Sequence, residues 1–237
     1  MPRPTPGEAG LGLGPGAGEA GPGPAPARHA ARSRWRVVVP VKGAGRAKSR
    51  LEFGDDRRTA FAGAFALDTV RALIACPLVR DVLVVADRDA RTADLGELGA
   101  TVLASGVPAG LNEALRFGIG EASAWWPGQP LAVVLGDLPA LRPASVTVAL
   151  EAAATIGGTV FVADASGAGT TLLADPRRSP KPQFGGQSAA AHRRAGAVEI
   201  SALVPRDLRR DVDTAADLDD AVSLGVGLST SAVLALA

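Results

Sequence analysis

Between Pro130 and Pro139 the chain reads Pro-Leu-Ala-Val-Val-Leu-Gly-Asp-Leu-Pro. Leu131 to Leu135 are apolar at consecutive positions over the length of one strand. Such a run fits a strand buried on both faces, as in a parallel sheet covered by helices. Gly136 removes side-chain bulk where that strand emerges. Asp137 then stands at the carboxyl end, which is where open α/β sheets bind ligands. A carboxylate there can hold a hard cation such as Mg²⁺, which in turn holds phosphates. The same residues also read as a turn with an Asp at a helix start, so the rest of the chain has to decide between the two.

A chain of 237 residues with 47% apolar content accommodates one α/β domain with a sizeable core, or a domain plus a tail. The net charge of +1 offers no broad attraction to nucleic acid or to a membrane surface. Two histidines and one cysteine are too few for a zinc site of the usual kind. Cys76 lies in an apolar stretch and reads as a buried structural thiol. There is no unbroken apolar span of membrane length and no signal-like apolar segment near the start, so a cytoplasmic location is expected. The Gly, Ala and Arg bias suggests a high-GC source.

Residues 1–33 are dominated by Gly, Pro and Ala and read as a disordered extension, because they carry too little apolar surface to offset their ordering entropy. Residues 34–237 form the expected domain. Its first strand is Trp35 to Val41, followed by Lys42-Gly43-Ala44-Gly45-Arg46-Ala47-Lys48-Ser49-Arg50. Glycines and basic residues directly after a first strand suit a phosphate-binding loop, although a solvated basic turn has the same composition. Neither the P-loop spacing nor the dinucleotide glycine fingerprint is present.

A long helix is expected from Asp55 to Cys76, with Phe61 and Phe65 in the core, and a second strand from Val79 to Ala86. The acids Asp87 and Asp89 after that strand either touch a nucleotide or start a helix. A short helix (Thr92 to Leu98) and a short strand (Thr101 to Ala104) come next. Asn112, in the first turn of another helix, either bonds a nucleotide or caps. After the central strand come a helix from Pro143, a strand from Thr159 to Ala163, and a glycine turn that feeds Thr170 and Thr171 into a further strand. Gly185 and Gly186 precede Ser188, an expected N-cap, so that free N–H groups of a helix first turn form an anion site. A strand from Val198 to Val204 is expected, then Asp211-Val212-Asp213-Thr214 before a helix. Alternation puts Asp211 and Asp213 on one side, where they repel unless a cation lies between them; alternatively Asp213 or Thr214 caps the helix.

With these stretches in place the chain resembles the guanylyltransferases that make the nucleotide-activated precursor of coenzyme F-420. The matching pieces, in family order, are Val39-Pro40-Val41-Lys42 with Ala47-Lys48-Ser49-Arg50-Leu51; Gly110-Leu111-Asn112; Gly136-Asp137-Leu138-Pro139; Gly169-Thr170-Thr171; Phe184-Gly185-Gly186-Gln187-Ser188 with His192; and Asp211-Val212-Asp213-Thr214. Gly43-Ala44-Gly45 departs from the bulkier stretch often seen there.

The resemblance implies a single Rossmann-like nucleotidyltransferase domain, with a mixed, mostly parallel sheet and helices on both faces. It implies that Lys42, Arg46, Lys48 and Asn112 bind GTP, with Lys42, Lys48 and Asp137 catalytic. Asp137, Asp211 and Asp213 would hold Mg²⁺, and Thr170, Gly185 and Ser188 would bind a phosphorylated three-carbon acid. Phosphoenolpyruvate is the expected acid, since the composition looks actinobacterial; 2-phospho-L-lactate is the alternative, as is an inactive nucleotide-binding module on the same fold. A homodimer and delivery of the product to a downstream deazaflavin transferase are the further partner expectations, with no nucleic acid and no membrane.

Overall fold

The computed structural model describes residues 34–41, 54–86, 92–104 and 110–236. These belong to one compact unit, Ser33–Ala237. The N-terminal extension and the basic loop after the first strand lie outside the described residues. The strands are β1 (Trp35–Val41), β2 (Val79–Ala86), β3 (Thr101–Ala104), β4 (Leu131–Val134), β5 (Val160–Ala163), β6 (Thr170–Asp175) and β7 (Val198–Glu199). The helices are α1 (Asp55–Ile74), α2 (Ala93–Glu97), α3 (Leu111–Trp125), α4 (Pro143–Ile156), α5 (Ser188–Arg194), α6 (Ala215–Leu224) and α7 (Leu228–Ala235).

The unbroken apolar runs of the central strands have a direct explanation. Successive side chains point to opposite faces of a sheet, and here each face carries its own hydrophobic core. Val37 and Val39 of β1, Val82 and Val84 of β2, and Ala132 and Val134 of β4 pack with Val70 and Leu73 of α1 and Val146 and Leu150 of α4. The alternate residues Val38, Leu83, Val85, Leu131 and Val133 pack with Leu115 and Ile119 of α3 and Ala189 of α5. A third cluster joins Phe61 and Phe65 of α1 to Val212 and to Leu218 and Ala221 of α6.

The sheet order is β3-β2-β1-β4-β6-β5-β7. β1 pairs in parallel with both β2 and β4, while β6 runs antiparallel between β4 and β5. The strand order therefore reverses between β1 and β4, and a crevice opens at their carboxyl ends. Because β6 is antiparallel, its first residue lies beside that same end of β4: Val134 pairs with Leu172, and the Leu135 N–H donates to Thr171 O at 3.0 Å.

One expected strand is shorter than its sequence suggested. The segment from Val198 stops pairing after Glu199, and Ser201 to Val204 form a turn. Ile200 N–H still donates to Phe161 O at 2.9 Å, but Ala163 N–H of β5 then donates to the Ser201 hydroxyl at 2.8 Å. A side chain has taken the position of a backbone carbonyl, and the chain turns away. Among the described residues, no helix is long and apolar enough to cross a membrane.

Candidate active site

A cleft of about 600 Å³ opens at the carboxyl ends of β1 and β4. Pro40 and Val41 line it from β1, and Leu135, Gly136 and Asp137 from the end of β4. Gly136 is required there by close approach: a Cβ on it would lie 2.8 Å from the Pro40 carbonyl oxygen and 3.3 Å from Val39 Cγ1.

Asp137 is held by its neighbours in the chain as much as by its own position. Its carbonyl accepts the Val212 N–H at 3.1 Å, and the Leu138 N–H donates to the Thr69 hydroxyl on α1 at 3.1 Å. The first of these bonds binds the 211–213 segment to the end of β4. Val212 is fully buried, so extended alternation turns its neighbours outward, and Asp211 and Asp213 both line the cleft. The three acids expected to serve a metal thus face one cavity. Among the described residues no three His, Cys, Asp or Glu side chains are already gathered into a metal cluster. This donor set fits Mg²⁺, which takes hard oxygen ligands, commonly one or two carboxylates with the substrate's phosphates completing the shell.

Arg210, Thr214 and Asp217 line the same cleft, in addition to the expected site residues. Thr214 caps α6: its hydroxyl accepts the Asp217 N–H, and the Asp217 carboxylate accepts the Thr214 N–H at 2.9 Å. Arg210 pairs with Asp217 at 2.9 Å and with Asp220 at 2.8 Å. Burial works to raise the Asp217 carboxyl, but the Thr214 and Asp213 hydrogen bonds and the Arg210 charge together hold it below the usual range. The signal available for this pair was the Thr-x-x-Asp spacing of a capping box.

The other group of expected residues also reaches the cleft. Thr170, Gly185 and Ser188 line it, with Phe184 and Gly186. Gly185 has φ 149°, a conformation that side-chain-bearing residues rarely adopt. Ser188 is not the helix cap: Gln187 occupies that position, and Ser188 is the first residue of α5. Nor are the first N–H groups of this seven-residue helix free. Ser188 N–H donates to Gly185 O, and Ala189 N–H to Ala168 O, each at 3.0 Å. What Ser188 does offer is its hydroxyl, which is buried and has no hydrogen-bond partner among the described residues.

The Thr170 hydroxyl lies 3.0 Å from His192 Nδ1, and the Gln183 N–H donates to His192 Nε2 at 3.0 Å. His192 is itself buried against the rings of Phe161 and Phe184, and burial lowers its pKa to about 4. Asn112 holds the same loop from α3. Its Nδ2 donates to Phe184 O at 2.9 Å, and its Oδ1 accepts the Phe184 N–H at 2.8 Å. The amide therefore fastens the loop that carries Gly185. Lys42, Arg46 and Lys48 lie outside the described residues, although the chain enters that segment directly from Val41 in the cleft wall.

The model of the MobA-like NTP transferase domain matches residues 44–206. A phosphoenolpyruvate guanylyltransferase of Salinispora arenicola is 50% identical over 202 residues, covering 83% of this chain and 92% of the relative. One of Streptomyces coelicolor is 49% identical over 205 residues, covering 85% and 96%. Among solved structures, a Desulfovibrio desulfuricans protein described as a nucleotide-diphospho-sugar transferase superposes with a TM-score of 0.61 at 17% identity, covering 85% of this chain and 94% of that one. A 4-diphosphocytidyl-2C-methyl-D-erythritol synthase gives a TM-score of 0.51 at 14% identity, covering 81% and 97%. At such identities the two structures speak for the fold alone, whereas the sequence relatives speak for the chemistry. The chain belongs to the MobA-like NTP transferase domain family and, within it, to the phosphoenolpyruvate guanylyltransferases.

Proposed function

We propose that the protein transfers GMP from GTP to phosphoenolpyruvate, giving enolpyruvoyl-2-diphospho-5'-guanosine and pyrophosphate on the way to coenzyme F-420. The observation that carries this reading is a single cleft lined both by Asp137, Asp211 and Asp213 and by Thr170 and Ser188, two hydroxyl-bearing residues. The acids would hold a cation that offsets phosphate charge, and the hydroxyl-bearing residues suit a small anion bound through O–H donors.

An oxygen of the acid's phosphate attacks the α-phosphorus of GTP, the bond to the bridging oxygen breaks, and pyrophosphate leaves. No protein base is required, since that phosphate is already ionised at neutral pH. The chain's task is alignment, which converts an encounter of two substrates into an effectively unimolecular step. Thr170, Gly185 and Ser188 hold the acid. Lys42, Arg46 and Lys48 supply positive charge to the triphosphate, whereas Asn112, expected as a further nucleotide ligand, has both ends of its amide on the Phe184 backbone and orders the loop that carries Gly185. Asp137, Asp211 and Asp213 would hold Mg²⁺, which when bound offsets charge on the reacting phosphates.

The test is pyrophosphate release from purified protein, with GTP against ATP and with phosphoenolpyruvate, 2-phospho-L-lactate and 3-phosphoglycerate in turn. Turnover confined to GTP and phosphoenolpyruvate is expected. Turnover with 2-phospho-L-lactate alone would replace the acid, and none with any pair would overturn the catalytic reading.

A further inference from the structure

His192 belongs to no expected catalytic or binding set, yet it is the buried titratable side chain in contact with the acid-binding residues. Its two ring nitrogens have different neighbours. Nε2 faces the Gln183 backbone N–H at 3.0 Å, which can only donate. Nε2 must therefore be the bare, accepting nitrogen, and the ring proton resides on Nδ1. Nδ1 lies 3.0 Å from the Thr170 hydroxyl oxygen. An N–H at Nδ1 makes that oxygen the acceptor, so the Thr170 hydroxyl hydrogen is left to point elsewhere. The Thr170 hydroxyl has no other hydrogen-bond partner among the described residues, and Thr170 lines the cleft.

We propose that His192 is a positioning residue for the acid substrate: fixed as its Nδ1–H tautomer by the Gln183 backbone, it turns the Thr170 hydroxyl into a donor aimed into the cleft. This rests on the reading that the cleft binds a phosphorylated acid. An anion has only acceptor atoms to present, so a hydroxyl free to rotate would have to be ordered on binding, and one already donating to histidine would be lost to it. His192 removes both difficulties before substrate arrives. Donation from Nδ1 also polarises the hydroxyl and strengthens its outward bond. Phe161 and Phe184 pack on the ring at centroid distances of 5.9 and 5.3 Å and exclude water from it. Burial depresses the pKa of the ring, in agreement with this neutral state; a charged imidazolium would also turn a second N–H against the Gln183 donor.

Two substitutions separate the two nitrogens. In His192→Gln the side-chain oxygen can reach the Nε2 position and keep the Gln183 bond, but the Nδ1 donor is gone. In His192→Asn the amide N–H can occupy the Nδ1 position, and the Nε2 acceptor is lost. His192→Gln should raise KM for phosphoenolpyruvate about ten-fold, leaving KM for GTP within two-fold; His192→Asn should lie closer to the wild type on the acid. Thr170→Val should give a similar rise, and the double variant Thr170→Val/His192→Gln should be no worse than Thr170→Val alone, because both act through one hydroxyl. Additive losses, or a loss expressed in GTP binding, would overturn the proposal.

Nitrogen-15 correlation spectra of the substrate-free wild type test it independently of any variant's folding. The chain has only His29 and His192, so assignment needs one substitution at His29. A protonated Nδ1 and a bare Nε2 on His192 are expected, and the reverse tautomer would refute the inference. A wild type with this tautomer but no phosphoenolpyruvate-dependent turnover would instead count against the substrate reading.

Discussion

Gly136→Ala offers a sharp test of how the sheet builds the cleft. The added methyl would sit 2.8 Å from the Pro40 carbonyl oxygen, 3.3 Å from Val39 Cγ1 and 3.4 Å from Val41 Cγ2. The first contact is with backbone, and β1 cannot move aside freely, because it is hydrogen-bonded to β2 on one edge and to β4 on the other. Overpacking of this kind costs roughly 1–3 kcal/mol. Loss of glycine's freedom in the unfolded chain returns about 0.4–1 kcal/mol, so a net destabilisation of about 1–2 kcal/mol is expected. For a domain of this size that lowers Tm by roughly 2–8 °C. Asp137 is the next residue, so turnover should fall by more than the stability loss accounts for. Gly63→Ala is the control. Gly63 lies within α1, and a Cβ there meets nothing within 4 Å. That change should stabilise by roughly 0.5–1 kcal/mol, as alanine does inside a helix. Thermal melts and pyrophosphate release on both variants decide the matter. If Gly136→Ala melts with Gly63→Ala above the wild type, the close approach of β1 and β4 does not constrain the site.

Ser188→Ala should raise KM for the acid about ten-fold while leaving Tm unchanged or slightly higher, because the buried hydroxyl caps nothing and has no partner to lose; a lowered Tm with normal KM would assign it a structural task. Asp137→Asn should keep the fold but cut turnover roughly a hundred-fold or more by weakening the hold on Mg²⁺, and near-normal rates at saturating Mg²⁺ would remove Asp137 from that role. His192 stays neutral in the folded protein down to about pH 4 but takes a proton in the unfolded chain near pH 6.5. The unfolded state therefore binds more protons within this window. As pH falls from 6.5 to 4, stability should drop by on the order of 3 kcal/mol beyond the drop in His192→Asn, read from urea midpoints. Parallel profiles would show that burial of the ring does not suppress its charge. Asp207→Asn should destabilise by about 1–3 kcal/mol, since the buried carboxylate accepts both the Arg142 N–H at 2.9 Å and the Ser145 hydroxyl at the start of α4; a wild-type urea midpoint would show this cap to be dispensable.

Much of the fold could be read along the chain because local pattern and burial agree. β1 and β2 cover Trp35 to Val41 and Val79 to Ala86 as expected, and the run from Leu131 is apolar throughout because each of its faces meets a helix layer. Asp137 at the end of β4 followed from the same run, since a strand buried on both faces emerges only at its ends, here the carboxyl end. Asp211 and Asp213 came from simple alternation around Val212. Other features depended on partners far away in sequence, to which no local window has access. Ser188 looks like a cap, but Gln187 takes that place, and the buried Ser188 hydroxyl is left without a partner in a residue that lines the cleft. The segment after Val198 has strand composition, but Ser201 meets Ala163 and ends the pairing. Asn112 reads equally as a cap or a ligand until Phe184, 72 residues on, takes both ends of its amide. His192 is an ordinary helix residue until Thr170 and Gln183 fix its tautomer. The strands and the acid at the end of β4 follow from which side chains water excludes, a property each residue carries with it. The direction of a hydroxyl or of a ring proton is set by hydrogen-bond partners, and those are chosen only when the chain closes on itself.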